Sequence, residues 1–332
     1  MKKICSKVIS LIFISIVILF FVLKDNYNEI IIILKNTNNL YILYGFVIVL
    51  IGDIFKSISL TTIIKEEKKD YKYKNGLSLA LQTNFFNGIT PFSLGGGPYQ
   101  IYSLNKNYNI KYRRGAEIVF KDFYSYQMSL VIISTICLII NKIFNIIEFN
   151  SILKIMIVLG YLLNLFIALF LIYLPYTKNF GKNIINIIIL LLYKIKLIKD
   201  KEKALKSYDE FIFDFKNNIC NTLKNKKIVM KCILFNIVKI TTIGISSYFC
   251  FKSVNLNIPL YLCVIFTIIT LIIASFIPVP GGSGGMEYGF ITLFSFFVAS
   301  VKLSVVLIVW RVITYYLPVI MGGCLFALKN RK

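Results

Sequence analysis

Long apolar segments alternate along the chain with short polar segments that are rich in lysine. A helix that crosses the hydrocarbon core of a bilayer needs about 20 consecutive, mostly apolar residues. Segments that approach or exceed this length are residues 8–23, 40–64, 115–140, 152–174, 228–251, 259–277 and 303–328. The pattern therefore predicts an all-α polytopic membrane protein with about six to eight transmembrane helices.

Two stretches between these segments are interrupted by proline and glycine. They read TPFSLGGGPY and PVPGGSGGMEY, and both contain the pattern P-x-x-x-G-G-x-x-Y. The matched residues are Pro91, Gly95, Gly96 and Tyr99 in the first stretch, and Pro280, Gly284, Gly285 and Tyr288 in the second. Lipid cannot hydrogen-bond a bare backbone, so interrupted chain at membrane depth must be buried in protein or line a wet cavity. Interruptions at matching places in two halves indicate the substrate site of a transporter, whereas the simpler alternative is two ordinary turns.

A basic segment divides the chain. Residues 194–227 combine many lysines with interspersed Tyr, Phe and Leu, which is typical of an amphipathic segment at the membrane interface. We expect one membrane domain over 1–332, with a first half at 1–193, this interfacial linker, and a second half at 228–332.

The distribution of Lys and Arg predicts the topology, because basic loops tend to remain cytoplasmic. The basic segments are the N-terminus, 65–74, 106–114, 194–227 and the C-terminal tail, and the less basic ones are 24–39, 141–151, 252–258 and Lys302. Both flanks of the first interrupted stretch are then cytoplasmic, and both flanks of the second are external. The charges therefore predict two inverted re-entrant hairpins and cytoplasmic termini.

Composition excludes several other classes of protein. The chain is 57% hydrophobic and 16% charged, which leaves no polar region for a soluble catalytic domain. The absence of histidine excludes Ser-His-Asp catalysis and His-containing zinc sites, and the scattered cysteines form no metal-binding pair. The net charge of +23 comes almost entirely from lysine and is discounted as a nucleic-acid signal. We expect no cofactor, no metal and no direct nucleic-acid partner.

Glu287 and Arg311 are ionisable residues at apparent membrane depth. A charge near the bilayer centre costs about 2.5 kcal/mol or more unless it is paired or hydrated, so both are candidates for function. Arg311 could pair with Glu287, with Asp122 or with a lipid phosphate. Glu287 could instead be a loop carboxylate at the outer surface.

Charged residues in the first half offer similar alternatives. Asp53 and Lys56 lie three positions apart on one helical face, where they could neutralise each other. Glu117 and Asp122 lie near the basic segment 106–114, where a cationic lipid headgroup would first be met.

Asparagines and tyrosines complete the candidates. Asn84 and Asn87 could donate to a phosphate or cap the first hairpin. Tyr99, Tyr102, Tyr288, Tyr315 and Tyr316 could line a headgroup path or be ordinary interfacial tyrosines. The predicted substrate-binding residues are Asn84, Asn87, Pro91, Gly95, Gly96, Tyr99, Asp122, Pro280, Gly284, Gly285, Glu287, Arg311 and Tyr315, and no catalytic residue is expected.

Three motifs, taken in order, resemble one family. They are N-x-x-x-x-x-T-P from Asn84 with the following GGGPYQIYSL, then PVPGGSGGMEYG, then R-x-x-x-Y-Y-x-P-x-x-x-G from Arg311 to Gly322. Together they resemble the lysylphosphatidylglycerol synthase transmembrane region, or flippase-like domain, which is the membrane half of the multiple peptide resistance factor. Relatives often carry an acidic-then-basic pair early in the third span, and Lys121-Asp122 has the reverse order here.

The resemblance implies a flippase-like protein of the bacterial cell membrane that moves an aminoacylated phospholipid such as lysylphosphatidylglycerol and so confers resistance to cationic antimicrobial peptides. No segment resembles the cytosolic aminoacyltransferase domain, so we expect phospholipid as the partner, with a separate aminoacyltransferase as a further partner. Two rivals remain: a phosphatidylglycerol lysyltransferase component, and a non-transporting partner in envelope synthesis. The residues do not predict the lipid, the energy source or the oligomeric state.

Overall fold

The computed structural model describes residues 27–173 and 226–329, and within these ranges every regular element is helical. Outside these ranges lie the predicted span at 8–23, nearly all of the linker 194–227 and the last three residues. The α-helices are α1 (Tyr27–Lys35), α2 (Asn39–Glu67), α3 (Tyr73–Gly88), α4 (Gly96–Tyr108), α5 (Tyr112–Phe144), α6 (Ser151–Tyr173), α7 (Lys226–Ser253), α8 (Leu260–Ser275), α9 (Gly285–Phe294), α10 (Ser300–Arg311) and α11 (Leu317–Lys329).

In the described part of the chain, five helical stretches are long and apolar enough to cross a membrane: α2, α5, α6, α7 and the stretch from α10 to α11. They correspond to the predicted spans at 40–64, 115–140, 152–174, 228–251 and 303–328. The all-α polytopic fold is confirmed. Helices α2, α5 and α7 extend a few residues beyond their apolar segments, because helical hydrogen bonding continues into the polar flanks. The predicted run 259–277 instead forms the shorter helix α8, Leu260–Ser275.

Helices α2 and α7 form an antiparallel pair at the centre. The amide of Asn38, just before α2, donates to the carbonyl of Ser253 at the end of α7 across 2.8 Å. Near the opposite end, the Cys232 thiol lies 3.7 Å from the Ser59 carbonyl. Close approach depends on small residues, since a Cβ added at Gly52 would lie 2.1 Å from the Thr242 hydroxyl.

The first interrupted stretch forms a hairpin, called hairpin 1, from α3, the short 3-10 turn Pro91–Ser93 and α4. Its two ends lie side by side: the rings of Tyr71 and Tyr108 are 4.8 Å apart, and Lys68 Nζ donates to the Tyr108 carbonyl across 3.2 Å. Lys68 directly follows α2, so hairpin 1 starts and ends at the C-terminal end of that helix.

The second interrupted stretch forms hairpin 2 from α8, the 3-10 turn Pro280–Gly282 and α9. Phe294 at the end of α9 packs 4.7 Å from Phe251 near the end of α7 and 5.3 Å from Phe266 of α8. The end of α7 is bonded to the start of α2, so hairpin 2 opens at the end of α2 opposite to hairpin 1. The predicted inverted arrangement is confirmed.

The last helical stretch contains a π-helical segment, Val312–Tyr316, between α10 and α11. Pro318 follows it after Leu317. Proline has no N–H, and its ring clashes with the carbonyl four residues earlier, so a regular α-helix is disrupted just before it. The sequence showed the proline within a continuous span, but the widened turn is visible only in the structure.

Residues 24–39 were predicted only as an external loop, yet they contain α1. The helix is amphipathic: Ile30 is buried, whereas Ile32 is exposed. It packs against α10, and this tertiary contact stabilises a helix of nine residues that would be marginal alone.

Candidate functional site

The tips of the two hairpins have the same backbone conformation. Each begins with an extended residue, Thr90 (φ −121°, ψ 144°) or Val279 (φ −115°, ψ 142°), followed by proline. Two residues of positive φ come next: Phe92 and Ser93 at 53° and 55°, and Gly281 and Gly282 at 65° and 62°. The P-x-x-x-G-G-x-x-Y repeat of the sequence therefore encodes a structural repeat.

The strain differs between the tips. Glycine adopts positive φ readily, whereas a residue with a Cβ pays about 1–2 kcal/mol there. Phe92 and Ser93 carry that cost in hairpin 1. Residues held in such a conformation tend to lie at functional sites. The side chain of Phe92 is also 51% exposed, so burial at the tip does not compensate for the strain.

The second arms begin at matching residues. Gly96 is the first residue of α4 and Gly285 is the first residue of α9, each preceded by another glycine, Gly95 or Gly284. The helix starts are capped differently: Asn87 Oδ1 accepts from the Gly96 amide across 2.8 Å, whereas Glu287 Oε2 accepts from the Gly284 amide across 2.6 Å. Of the two alternatives for Asn87, the structure shows the cap.

The matched tyrosines also differ in environment. Tyr99 is buried in α4, and its hydroxyl donates to the side-chain carbonyl of Gln82 in α3. Tyr288 is 38% exposed on α9. Tyr99 therefore holds the arms of hairpin 1 together, while Tyr288 is on the surface of hairpin 2.

Arg311 joins the last helix to hairpin 2. Its Nε lies 2.9 Å from Glu287 Oε1, and its other nitrogens donate to the Gly281 carbonyl across 3.1 Å and to the Ser283 hydroxyl across 3.0 Å. The side chains of Arg311 and Glu287 are 2% and 5% exposed. Glu287 is thus not a carboxylate of a surface loop. Of the two carboxylates that could pair with Arg311, Glu287 does so and Asp122 does not.

Tyr315, one turn after Arg311, touches both hairpins. Its hydroxyl donates to the Gly88 carbonyl at the end of α3 across 2.8 Å. Its ring covers Gly281, where an added Cβ would lie 2.4 Å from the ring, and the Arg311 guanidinium carbon lies 4.6 Å from its centre. The two tips themselves approach within 8 Å between Cα atoms, so this segment of the last helix lies where they meet.

The expected pairing of Asp53 with Lys56 is wrong. Asp53 Oδ1 lies 2.8 Å from Lys239 Nζ of α7 and accepts from Asn84 Nδ2 of α3 across 3.1 Å. Lys56 Nζ instead lies 2.6 Å from Asp122 Oδ1 of α5. Each of the two side chains therefore pairs with a residue of a neighbouring helix, Lys239 of α7 or Asp122 of α5, and not with the other.

Neighbouring charges of α5 also diverge. Lys121 Nζ lies 3.0 Å from Glu66 Oε2, and Arg114 lies 3.0 Å from Glu117 Oε2. The reversed Lys121-Asp122 order therefore gives two separate ion pairs with α2.

The structure brings most of the predicted site residues together but places Asn84, Tyr99 and Asp122 elsewhere: Asn84 bonds to Asp53, Tyr99 bonds to Gln82, and Asp122 pairs with Lys56. Glu287, Arg311, Tyr315, both prolines and the paired glycines surround the meeting point of the tips, with Asn87 beside Gly96. Asn84 lies one turn earlier on α3. Asp122 belongs instead to the ion pair with Lys56, at the packing of α2, α5 and α7.

Three further residues were not predicted: Ser283, Gln82 and Lys239. Lys239 lies well inside the apolar segment 228–251 and was a usable signal, since an intramembrane charge needs a partner. Ser283 and Gln82 are identified only by their tertiary contacts.

Comparison with known proteins places the chain in a family. No curated protein matches it. The family model described as "Lysylphosphatidylglycerol synthase TM region" matches residues 7–322. That match includes both hairpins and the Arg311–Tyr315 segment, and it links this membrane protein to the handling of lysylphosphatidylglycerol. The chain belongs to the lysylphosphatidylglycerol synthase transmembrane-region family.

Proposed function

We propose that the protein moves an aminoacylated phospholipid, such as lysylphosphatidylglycerol, between the leaflets of the bacterial cell membrane, with cytoplasmic termini. The observation that supports this most strongly is the meeting of two inverted hairpin tips beside buried Arg311, Glu287 and Tyr315. Broken helices meeting between the faces are the usual form of a transporter site, and inverted repeats allow it to open to either side.

The charges of the site complement such a headgroup. Lysylphosphatidylglycerol presents a phosphate and amino groups, and a guanidinium suits the phosphate while a carboxylate suits an ammonium. In the described state Arg311 and Glu287 satisfy each other. Exchange of this internal pair for the two charges of a headgroup would keep every buried charge compensated, which is the condition for binding at membrane depth.

Hairpin 1 supplies the accessible side of the site. Its tip residues Pro91, Phe92 and Leu94 are exposed, whereas Ser283 and Pro280 of the other tip are buried. A lipid would therefore enter beside the tip of hairpin 1, where the exposed side chains of Phe92 and Leu94 can contact its acyl chains.

Purified protein in vesicles loaded with lysylphosphatidylglycerol tests this function. An amine reagent that does not cross the bilayer should label the lipid of both leaflets with wild-type protein, and only the outer leaflet with empty vesicles. Equal labelling in both preparations would contradict transport. In parallel, the protein given lysyl-tRNA and phosphatidylglycerol should form no lysyl-lipid, and product above a protein-free control would favour the transferase instead.

A further inference from the structure

Asn164 is a buried amide in α6, the most apolar of the five membrane-crossing stretches. Its Nδ2 donates to the Ser275 hydroxyl at the end of α8 across 2.6 Å, and to the Gly160 carbonyl one turn earlier across 2.8 Å. Gln127 of α5, which is also buried, donates to Asn164 Oδ1 across 2.8 Å. Lipid offers an amide no hydrogen-bond partner, so these side chains are satisfied only where the three helices meet.

The Ser275 hydroxyl connects this amide to the backbone of hairpin 2. Ser275 is the last residue of α8, three positions before Pro278. The last carbonyls of a helix have no partner within it. The Ser275 hydroxyl donates to one of them, the Ile272 carbonyl, across 2.6 Å while it accepts from Asn164. The chain of hydrogen bonds from Gln127 to Ser275 therefore fixes the point where the first arm of hairpin 2 turns into the tip.

Helices α6 and α8 approach closely at the same point. A Cβ added at Gly160 would lie 2.4 Å from the Ile272 carbonyl oxygen. Gly160 and Asn164 are four residues apart and lie on one face of α6, so the glycine permits the contact and the amide bonds across it. Small and polar residues are the usual means by which membrane helices associate.

Hairpin 2 thus has two separate attachments. Arg311 of α10 holds the tip and the second arm through Ser283 and Glu287, and Asn164 of α6 holds the end of the first arm. In the proposed transport, Arg311 and Glu287 exchange each other for the charges of a headgroup. The bond between Asn164 and Ser275 joins two neutral groups and takes no part in that exchange. It therefore remains when the contact between α10 and the second arm is given up.

Hairpin 1 has a comparable attachment from the other half of the chain. Tyr315, in the second half, holds the Gly88 carbonyl at the end of α3, whereas Asn164, in the first half, holds Ser275 at the end of α8. The end of each first arm is therefore bonded to a neutral side chain that the opposite half supplies.

We propose that Asn164 is a positioning residue of the lipid site, which keeps the first arm of hairpin 2 in place while Arg311 and Glu287 bind the headgroup. This inference rests on the proposed lipid transport and adds to its site a residue that lies outside both hairpins.

Hydrogen exchange of lipid-free protein in detergent tests the attachment without transport. Asn164→Leu should accelerate exchange at residues 276–287 by about threefold to thirtyfold, the range that corresponds to one hydrogen bond between membrane helices. Ser275→Ala removes the same bond from the other side and should do likewise, whereas Ser275→Thr keeps the hydroxyl and should retain slow exchange. Tyr161→Phe is the matched control, because the Tyr161 hydroxyl lies 2.9 Å from Thr135 Oγ1 and joins α6 to α5 only. Unchanged exchange in both Asn164→Leu and Ser275→Ala would overturn the attachment.

Added lipid separates positioning from a general loss of stability. Asn164→Leu should slow the movement of lysylphosphatidylglycerol between the leaflets of vesicles, while Tyr161→Phe should not. Adding this lipid should also widen the difference in hydrogen exchange between Asn164→Leu and wild type, because the contact of Arg311 with Glu287 is then lost. A difference that is the same with and without lipid would overturn the positioning role and leave a structural contact. Absence of lipid movement in wild-type protein would overturn the proposed transport and this role with it, whereas the attachment itself is decided by the lipid-free exchange.

Discussion

The Tyr315 hydroxyl donates to the Gly88 carbonyl across 2.8 Å, and through this bond the last helix holds the end of the first arm of hairpin 1. Arg311, one turn earlier, holds the tip of hairpin 2 through Glu287 and Ser283. One short segment of the last helix thus contacts both inverted hairpins, so a shift of this segment would move their tips relative to each other.

Replacement of Tyr315 by Phe should loosen hairpin 1 while preserving the ring that covers Gly281. Loss of a neutral hydrogen bond that leaves a carbonyl unpaired costs about 1–3 kcal/mol. Hydrogen exchange of residues 84–96 should become faster in Tyr315→Phe. Tyr44→Phe is the control, since the Tyr44 side chain is 44% exposed. Unchanged exchange in Tyr315→Phe would show that the bond does not hold the hairpin.

Glu287→Gln and Arg311→Gln should each destabilise the protein by about 3–5 kcal/mol, because either change strands the opposite buried charge. Thermal unfolding in detergent measures the loss, and lipid labelling in vesicles should fall to the empty-vesicle level. Lys302→Gln, at an exposed position, should change neither measurement.

The exchange Glu287→Arg with Arg311→Glu tests the pair directly. Opposite charges would again lie together, so folding should recover relative to either single reversal, while transport should not, because the field at the lipid is reversed. If both single Gln variants unfold and transport as wild type does, the lipid site lies elsewhere.

Gly322→Ala should destabilise the packing of α11 on hairpin 1. An added Cβ would lie 2.1 Å from the Leu81 carbonyl oxygen of α3, so one backbone must move. Overpacking of this kind costs about 1–3 kcal/mol. Gly97→Ala is the matched control, because its Cβ would meet only Val119 at 3.2 Å and alanine favours the helix. Equal unfolding temperatures for the two variants would contradict the close contact.

Cysteine labelling in a Cys-free protein tests the orientation. Single cysteines at 70 and 108 should be accessible from the cytoplasmic face, and those at 255 and 302 from the external face. Asp70, Asn255 and Lys302 are exposed, so labelling at these positions reports the side of the membrane rather than burial. Labelling of 70 and 108 from opposite faces would contradict the re-entrance of hairpin 1.

Much of the candidate site was predictable from particular residues. Pro91 and Pro280 mark the tips, because proline after an apolar run ends a helix and lipid forces the interrupted backbone inward. Glu287 and Arg311 were predictable as partners, since each is a solitary charge at membrane depth. The assignment of Asp53 to Lys56 failed, because helical spacing shows which side chains could meet and not which neighbours another helix supplies.

The sequence by itself determined the helical membrane fold, the two interruptions and their inverted orientation. These depend on segment length, on proline and glycine, and on the placement of lysine, which are properties of the chain and its solvent. Only the tertiary structure decided that Tyr315 bridges the hairpins, that Asp53 pairs with Lys239, and that Asn87 caps Gly96. Such partners are far apart in sequence, and their distances are set by how closely the helices pack.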